Sequence, residues 1–261
     1  MRLTFHDSQI AVVDDALAPD LLGSLWSHLQ TLRYEPVQGD HIRGVWRLLD
    51  GNPLQGPHAV LLADNEATRP EAQTLRKQGR LLFPTGTLLD TVLQAVTAAP
   101  PEARRLVGEQ GKEWFALSAR PWIYPVGTRL SWHDDASTYC GAFVYYAHPS
   151  WNALWGGELL VAHEGVRDRA PGANTTLVQD DPLQLDNQAE NDELMREGHG
   201  RFVAAKPNRL VFLGAGVSHM VAQVHAAAGD HPRVTVSGFF LRKPRTGAET
   251  LDYLFGPQSK T

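Results

Sequence analysis

His133, Asp135 and His219 are the residues of this 261-residue chain whose types and spacing could do chemistry. Two imidazoles and one carboxylate can ligate one face of a divalent metal and leave the opposite face open. That is the arrangement of non-haem Fe(II) sites that use oxygen. A histidine and an aspartate two apart on a strand point to the same side, because side chains alternate with period two. The sequence therefore predicts that His133 and Asp135 share a face, that Asp134 looks away, and that the third ligand arrives from another strand. His219, just after the apolar run Leu210-Val211-Phe212-Leu213, is placed for that role. His-x-Asp alone reads more readily as a hydrogen-bonded surface pair than as a ligand pair, and with 11 histidines in the chain the context must decide. Further on, Arg233, Thr235 and Ser237 share one strand face, with Val234 and Val236 on the other. A polar stripe there predicts a cavity for an anionic guest, since a guanidinium binds a carboxylate through two parallel hydrogen bonds. The same stripe is equally consistent with a solvated face.

The elements that must position these residues fall into two textures. About 1–113 reads as helical support. Pro19 opens a helix with Leu21, Leu22, Leu25, Trp26, Leu29 and Leu32 at helical spacing. A second helix carries Leu88, Leu89, Val92, Leu93 and Val96, with Thr85 as the expected N-cap and Pro100-Pro101 as its end. Residues 41–66, rich in Gly, Pro and Asn, are expected to form a hairpin with a long loop. From about 114 to 245 the pattern changes to short strands, near 115–124, 129–133, 141–147, 158–162, 209–213, 220–224 and 234–241. Helices followed by many strands predict a mostly β (α+β) chain, a barrel or sandwich supported by helices on one face. The polar stretch 163–205, with acidic clusters at Asp180-Asp181 and Glu190 to Glu193, is expected to be a lid or mobile loop.

Composition narrows the function classes. With 43% hydrophobic and 20% charged residues the chain reads as an ordinary globular protein, expected to form a single domain over 1–261. A net charge of -5 argues against nucleic acid as partner. No apolar run approaches a membrane span, and the start lacks the layout of a signal peptide. Cys140 is the only cysteine, so there is no internal disulfide and no cysteine-rich metal site. A cytoplasmic protein, monomer or homodimer, is the expectation.

Several motifs in order carry a resemblance. Tyr124-Pro125-Val126-Gly127 leads into His133 and Asp135; Tyr145-Tyr146, Trp151 and Trp155-Gly156-Gly157-Glu158-Leu159 follow. Pro207 to Phe212 then leads to His219-Met220-Val221-Ala222-Gln223-Val224, and Val12 to Leu17 with the helix after it forms the opening. In these motifs, spread over nearly the whole length, the chain resembles the prolyl 4-hydroxylase-like branch of the Fe(II)/2-oxoglutarate-dependent dioxygenases. The resemblance implies a double-stranded β-helix (jelly-roll) core. It implies Fe(II) held by His133, Asp135 and His219, which are then also the catalytic residues. Arg233 would take the distal carboxylate of 2-oxoglutarate with Thr235 as auxiliary hydroxyl, Tyr145 would touch the same carboxylate, and Tyr124 would line the cavity. One spacing departs from the pattern: the family's basic residue stands about ten positions after the second histidine, and here 233 − 219 = 14.

The implied activity is oxidation of a substrate C–H bond with O2, 2-oxoglutarate becoming succinate and CO2. Asp135 speaks against halogenation, since halogenating relatives replace that carboxylate by a small residue. Hydroxylation, desaturation, epimerisation and ring closure stay open. A free small molecule, such as an amino acid or natural-product intermediate, is the first substrate class, and a peptidyl or protein substrate the second. Nucleic-acid demethylation is disfavoured by the charge and by Phe239, which stands where that branch carries a second arginine. A reading of another class is a jelly roll that binds a metal or a partner without catalysis. Residues 41–66 and 163–205, with Trp132 and Trp151, are the candidates to border a substrate pocket.

Overall fold

The computed structural model describes residues 1–37, 50–63, 70–135, 139–169, 177–178, 181–185 and 188–242. Strands β1 (Arg2–His6) and β2 (Ile10–Asp14) form a hairpin, and α1 (Pro19–Leu29) follows. Short strands β3 (Glu35–Pro36), β4 (Leu54–Gln55), β5 (Ala59–Leu62) and β6 (Leu81–Leu82) flank α2 (Pro70–Lys77). Helices α3 (Leu89–Thr97) and α4 (Pro101–Arg105) complete the support. The strand-rich part is β7 (Trp114–Tyr124), β8 (Leu130–His133), β9 (Tyr139–Tyr146) and β10 (Leu159–Ala162). After α5 (Glu164–Arg169), the pair β11 (Leu177–Val178) and β12 (Asp181–Leu185), and α6 (Gln188–Glu197) come β13 (Gly200–Val203), β14 (Leu210–Gly214), β15 (His219–Val221) and β16 (Arg233–Arg242).

Two sheets result. The larger runs β1-β2-β14-β9-β16-β7-β4-β3, with β5 also on β7 and β6 on β5; the smaller runs β13-β10-β15-β8. Counting β7, β8, β9, β10, β13, β14, β15 and β16 in order, the chain passes between the sheets at every step but one, β10 to β13. That winding is a double-stranded β-helix. The two sheets close on each other through Ala142, Tyr146, Val211 and Leu213 of the larger and Leu159, Val161 and Val203 of the smaller. The other face of the larger sheet packs Phe143, Tyr145, Leu210, Phe212, Val234 and Val236 against Leu25 and Leu29 of α1 and Leu89, Val92, Leu93 and Val96 of α3. Its central strands are thus buried on both faces, which is why they read as continuous apolar runs.

Three expectations change. Thr85 does not cap α3: the Asp90 carboxylate accepts from the Thr85 amide (3.0 Å), the Thr85 hydroxyl (2.9 Å) and the Gly86 amide (3.0 Å), so the acid reaches back from the first turn. Among the described residues, 41–66 holds no hairpin of its own, because β4 and β5 both pair with β7; residues 41–49 and 64–66 lie outside the description. The stretch 163–205 is not one loop, since Gly200–Val203 is an edge strand of the smaller sheet; 170–176, 179–180 (with Asp180) and 186–187 lie outside the description.

Candidate metal and co-substrate site

The smaller sheet pairs His219 of β15 directly with His133 of β8, bringing the two rings to 4.3 Å between centroids. Strand β8 ends at His133, so Asp135 enters from the turn after the strand rather than from within it. It converges all the same. One ligand atom from each of His133, Asp135 and His219 lies within 4.8 Å of the other two, and Asp135 Oδ1 stands 4.0 Å from His133 Nε2. Both histidines are buried.

Each imidazole is fixed through its far nitrogen. His133 Nδ1 lies 2.7 Å from the Ser131 carbonyl and His219 Nδ1 2.8 Å from the Val217 carbonyl. A carbonyl only accepts, so Nδ1 carries the proton and Nε2 presents a lone pair to the centre of the group. Ser131 is itself held: its hydroxyl donates to the fully buried Asp50 carboxylate at 2.6 Å, and the Arg129 amide donates to the Asp50 carbonyl at 2.9 Å. Asp50 was not legible as a site residue, because it sits in a Gly- and Pro-rich segment with no periodic signal. Burial pushes the Asp135 carboxyl pKa up, with Asp134 adding to the rise and His219 opposing it. A buried carboxylate raised in this way calls for a cation beside it.

Arg233 begins β16 and is 1% exposed, so the polar stripe faces inward, not solvent. Its Nε donates to the Gly157 carbonyl (2.8 Å), and its guanidinium carbon stands 4.9 Å from the Tyr124 ring and 5.0 Å from the Tyr146 ring. Its Nη2 is buried without a hydrogen-bond partner. A buried cation with a free donor is costly unless an anion completes it. Thr235, also 1% exposed, follows on the same face, level with Tyr146 and Trp122. Burial raises the Tyr124 hydroxyl pKa, against the pull of Arg233.

The Gly156-Gly157 pair makes this approach possible. Both have positive φ (74° and 73°), and a Cβ on Gly157 would stand 2.8 Å from Arg233 Cδ. Gly157→Ala is therefore expected to cost about 1–3 kcal/mol of stability, because an alanine there is strained in its backbone and presses on the arginine. Thermal melting of the native and variant proteins checks it.

The longer spacing to Arg233 is taken up outside the barrel. Ala226–Ala228 forms a short 3-10 turn and His231 stacks on Trp155 (4.8 Å, 10°), so the extra residues leave Arg233 at the start of β16. Trp151, whose Nε1 donates to the Gly156 carbonyl at 3.0 Å, packs against both Trp155 and His148. His148 is buried with both ring nitrogens at backbone groups of Ala205 and Val234, and burial lowers its pKa to about 4.

No family model and no curated protein matches the chain. Solved structures do. The chain is similar to a prolyl-4-hydroxylase of Pseudomonas putida, at 15% identity over 90% of this chain and 94% of that one, with a TM-score of 0.46. It is similar to a prolyl hydroxylase of Trichoplax adhaerens in complex with a hypoxia inducible factor peptide fragment, at 13% identity over 90% and 84%, with a TM-score of 0.49. The epimerase SnoN in complex with Fe3+, alpha ketoglutarate and nogalamycin RO matches at 13% identity over 90% and 79%, with a TM-score of 0.47. At such identities no substrate transfers.

Of the residues expected at the site, the structure brings together His133, Asp135 and His219, and gathers Arg233, Thr235 and Tyr124 on one inward face. It does not bring Tyr145. That ring lies on the helix side of the larger sheet, its hydroxyl donating to Asn208 Oδ1 at 3.0 Å. The neighbouring Tyr146 turns inward instead, beside Arg233, with a buried hydroxyl that has no partner. No helix among the described residues is long and apolar enough to cross a membrane.

Proposed function

We propose that this protein is a non-haem Fe(II)/2-oxoglutarate-dependent dioxygenase that hydroxylates, or otherwise oxidises at a C–H bond, a small molecule. The observation that carries the reading is a pair of complementary demands made by buried side chains. Two imidazoles and a carboxylate ask for a divalent cation, and a buried guanidinium with a free Nη2 asks for an anion. The donor set suits Fe(II): nitrogen and carboxylate oxygen on one side, with the other side open. The chemistry that the bound group would supply is oxidation of an unactivated C–H bond with O2, 2-oxoglutarate leaving as succinate and CO2.

The chain's own residues do the rest. His133 and His219 would ligate through Nε2, each ring held by its Nδ1 hydrogen bond, and Asp135 would add the negative charge. Arg233 would receive the distal carboxylate of 2-oxoglutarate on its Nη groups, since its Nε is already engaged. Thr235 and the inward hydroxyl of Tyr146 offer further donors, and the ring of Tyr124 walls the cavity beside the guanidinium. Tyr146, not Tyr145, takes the tyrosine role in this reading.

Purified protein given Fe(II) and 2-oxoglutarate is expected to form succinate slowly without any added substrate. A chelator should stop it and fresh Fe(II) restore it. A chain that binds no stoichiometric divalent metal would sink the proposal and leave the non-catalytic jelly roll.

A further inference from the structure

Of the two strands that bear the metal-binding histidines, β8 is the less supported. The smaller sheet ends on it, so among the described residues its four positions pair with β15 alone. His219 is better placed. Strand β15 lies between β10 and β8, and His219 pairs with Val161 on one side and His133 on the other. The turn that supplies its carbonyl is tied as well, since the Ala162 amide donates to the Ser218 carbonyl at 3.0 Å. A short strand paired on one side opens more readily than one held on both. The Ser131 carbonyl, which orients His133, therefore needs a tie of its own.

Asp50 supplies that tie from the opposite edge. The Thr128 carbonyl accepts from the Val224 amide at 3.0 Å and so faces the β15 side. Successive residues of a strand turn their backbone groups to opposite edges, so the Arg129 amide faces away from β15. It donates to the Asp50 carbonyl at 2.9 Å. Two residues on, the Ser131 hydroxyl donates to Asp50 Oδ1 at 2.6 Å, and Arg129 Nε stands 3.4 Å from the same oxygen. The Asp50 carboxylate is fully buried, where an acid is tolerated only with hydrogen bonds and a cation to hold it. Gly51 lets the segment come this near: its φ is 83°, and a Cβ there would stand 3.0 Å from Thr128 Cα. One residue thus holds the β8 segment by its main chain at Arg129 and by its side chain at Ser131, two positions before His133.

We propose that Asp50 is a positioning residue for the metal. Through the Ser131 hydroxyl it fixes the Ser131 carbonyl, and that carbonyl fixes His133 Nδ1. Asp50 thereby sets the affinity of the group for a divalent cation without touching it. This rests on the metal site of the function proposed above and adds to it a residue 81 positions from Ser131 in sequence. His219 has no link in this chain, so loss of the tie loosens one histidine and leaves the other.

The test is titration of Co(II) into the native protein and its variants, followed by visible ligand-field absorption. Circular dichroism and thermal melting of the metal-free chains accompany it. Ser131→Ala, which deletes only the hydroxyl, should weaken Co(II) binding about tenfold and alter the absorption of the saturated site. Ser131→Thr, which keeps a hydroxyl, should return the affinity to within about threefold of native. Asp50→Asn should weaken binding in the same direction as Ser131→Ala. Native affinity and native absorption in Ser131→Ala overturn the proposal, and so does a loss that Ser131→Thr fails to restore. If Asp50→Asn does not fold, the two Ser131 variants decide. A carboxylate needed only for stability would lower the melting temperature of Ser131→Ala and leave its Co(II) affinity and absorption native. The underlying reading fails in a different way: the native chain itself then binds no Co(II).

Discussion

His219→Ala is expected to remove stable metal binding and, with it, succinate formation. The groups that merely orient a metal-bound histidine are worth about ten- to a hundredfold in affinity, so deletion of the ligand itself should cost about a hundredfold or more. The fold should survive. His219 is one position in a three-residue strand whose backbone pairing to His133 and Val161 does not need the ring. Titration of Mn(II) into the native and variant proteins, with circular dichroism as the check on folding, measures the effect. His225→Ala is the control, since His225 is exposed and lies outside the group. Equal affinity in His219→Ala and native protein would refute the metal assignment.

Arg233→Gln is expected to separate the two halves of the site. Metal affinity should remain, while 2-oxoglutarate binding to the Mn(II)-loaded protein should weaken about 30- to 200-fold. That is the loss of about 2–3 kcal/mol from a charge-assisted, buried contact. The unliganded variant offers a second sign. A buried guanidinium with a free Nη2 is a burden in the empty protein, so Arg233→Gln should melt no lower than native. 2-Oxoglutarate should then raise the melting temperature of the native protein alone, by mass action on the folded state. Unchanged 2-oxoglutarate affinity would place the co-substrate elsewhere.

The parts of this architecture legible in the sequence were those written in local order. Short apolar runs bounded by turn residues showed β7, β8, β9, β10, β14, β15 and β16, and His133, Asp135, His219 and Arg233 followed one another as the winding requires. What was hidden depended on which face of a strand turns inward. Strand β9 is apolar on both faces, with Phe143 and Tyr145 toward the helices and Ala142 and Tyr146 toward the cleft. Period two could not choose between adjacent tyrosines, and Tyr145 is the one turned toward the helices. Asp50 was hidden for a related reason. A single charge on a strand, or in a loop, shows its burial only once the strands of distant sequence are laid beside it. Edge strand β13 carries a short, half-polar sequence with exposed Phe202, too weak a pattern to stand out from the polar stretch before it.

The place of β16 in the larger sheet has a consequence for assembly. It is the last strand of the described chain, yet it lies between β7 and β9, pairing with both along most of its length. A chain still being synthesised, before residue 233 emerges, has β7 and β9 ready but each with a bare edge of unpaired amides and carbonyls. Such edges are templates for pairing with other chains. Closure of the barrel and arrival of Arg233 are then one event, late in synthesis and non-local in sequence. The N-terminal helices, already made, are in a position to shield the apolar face of the waiting strands until that event occurs.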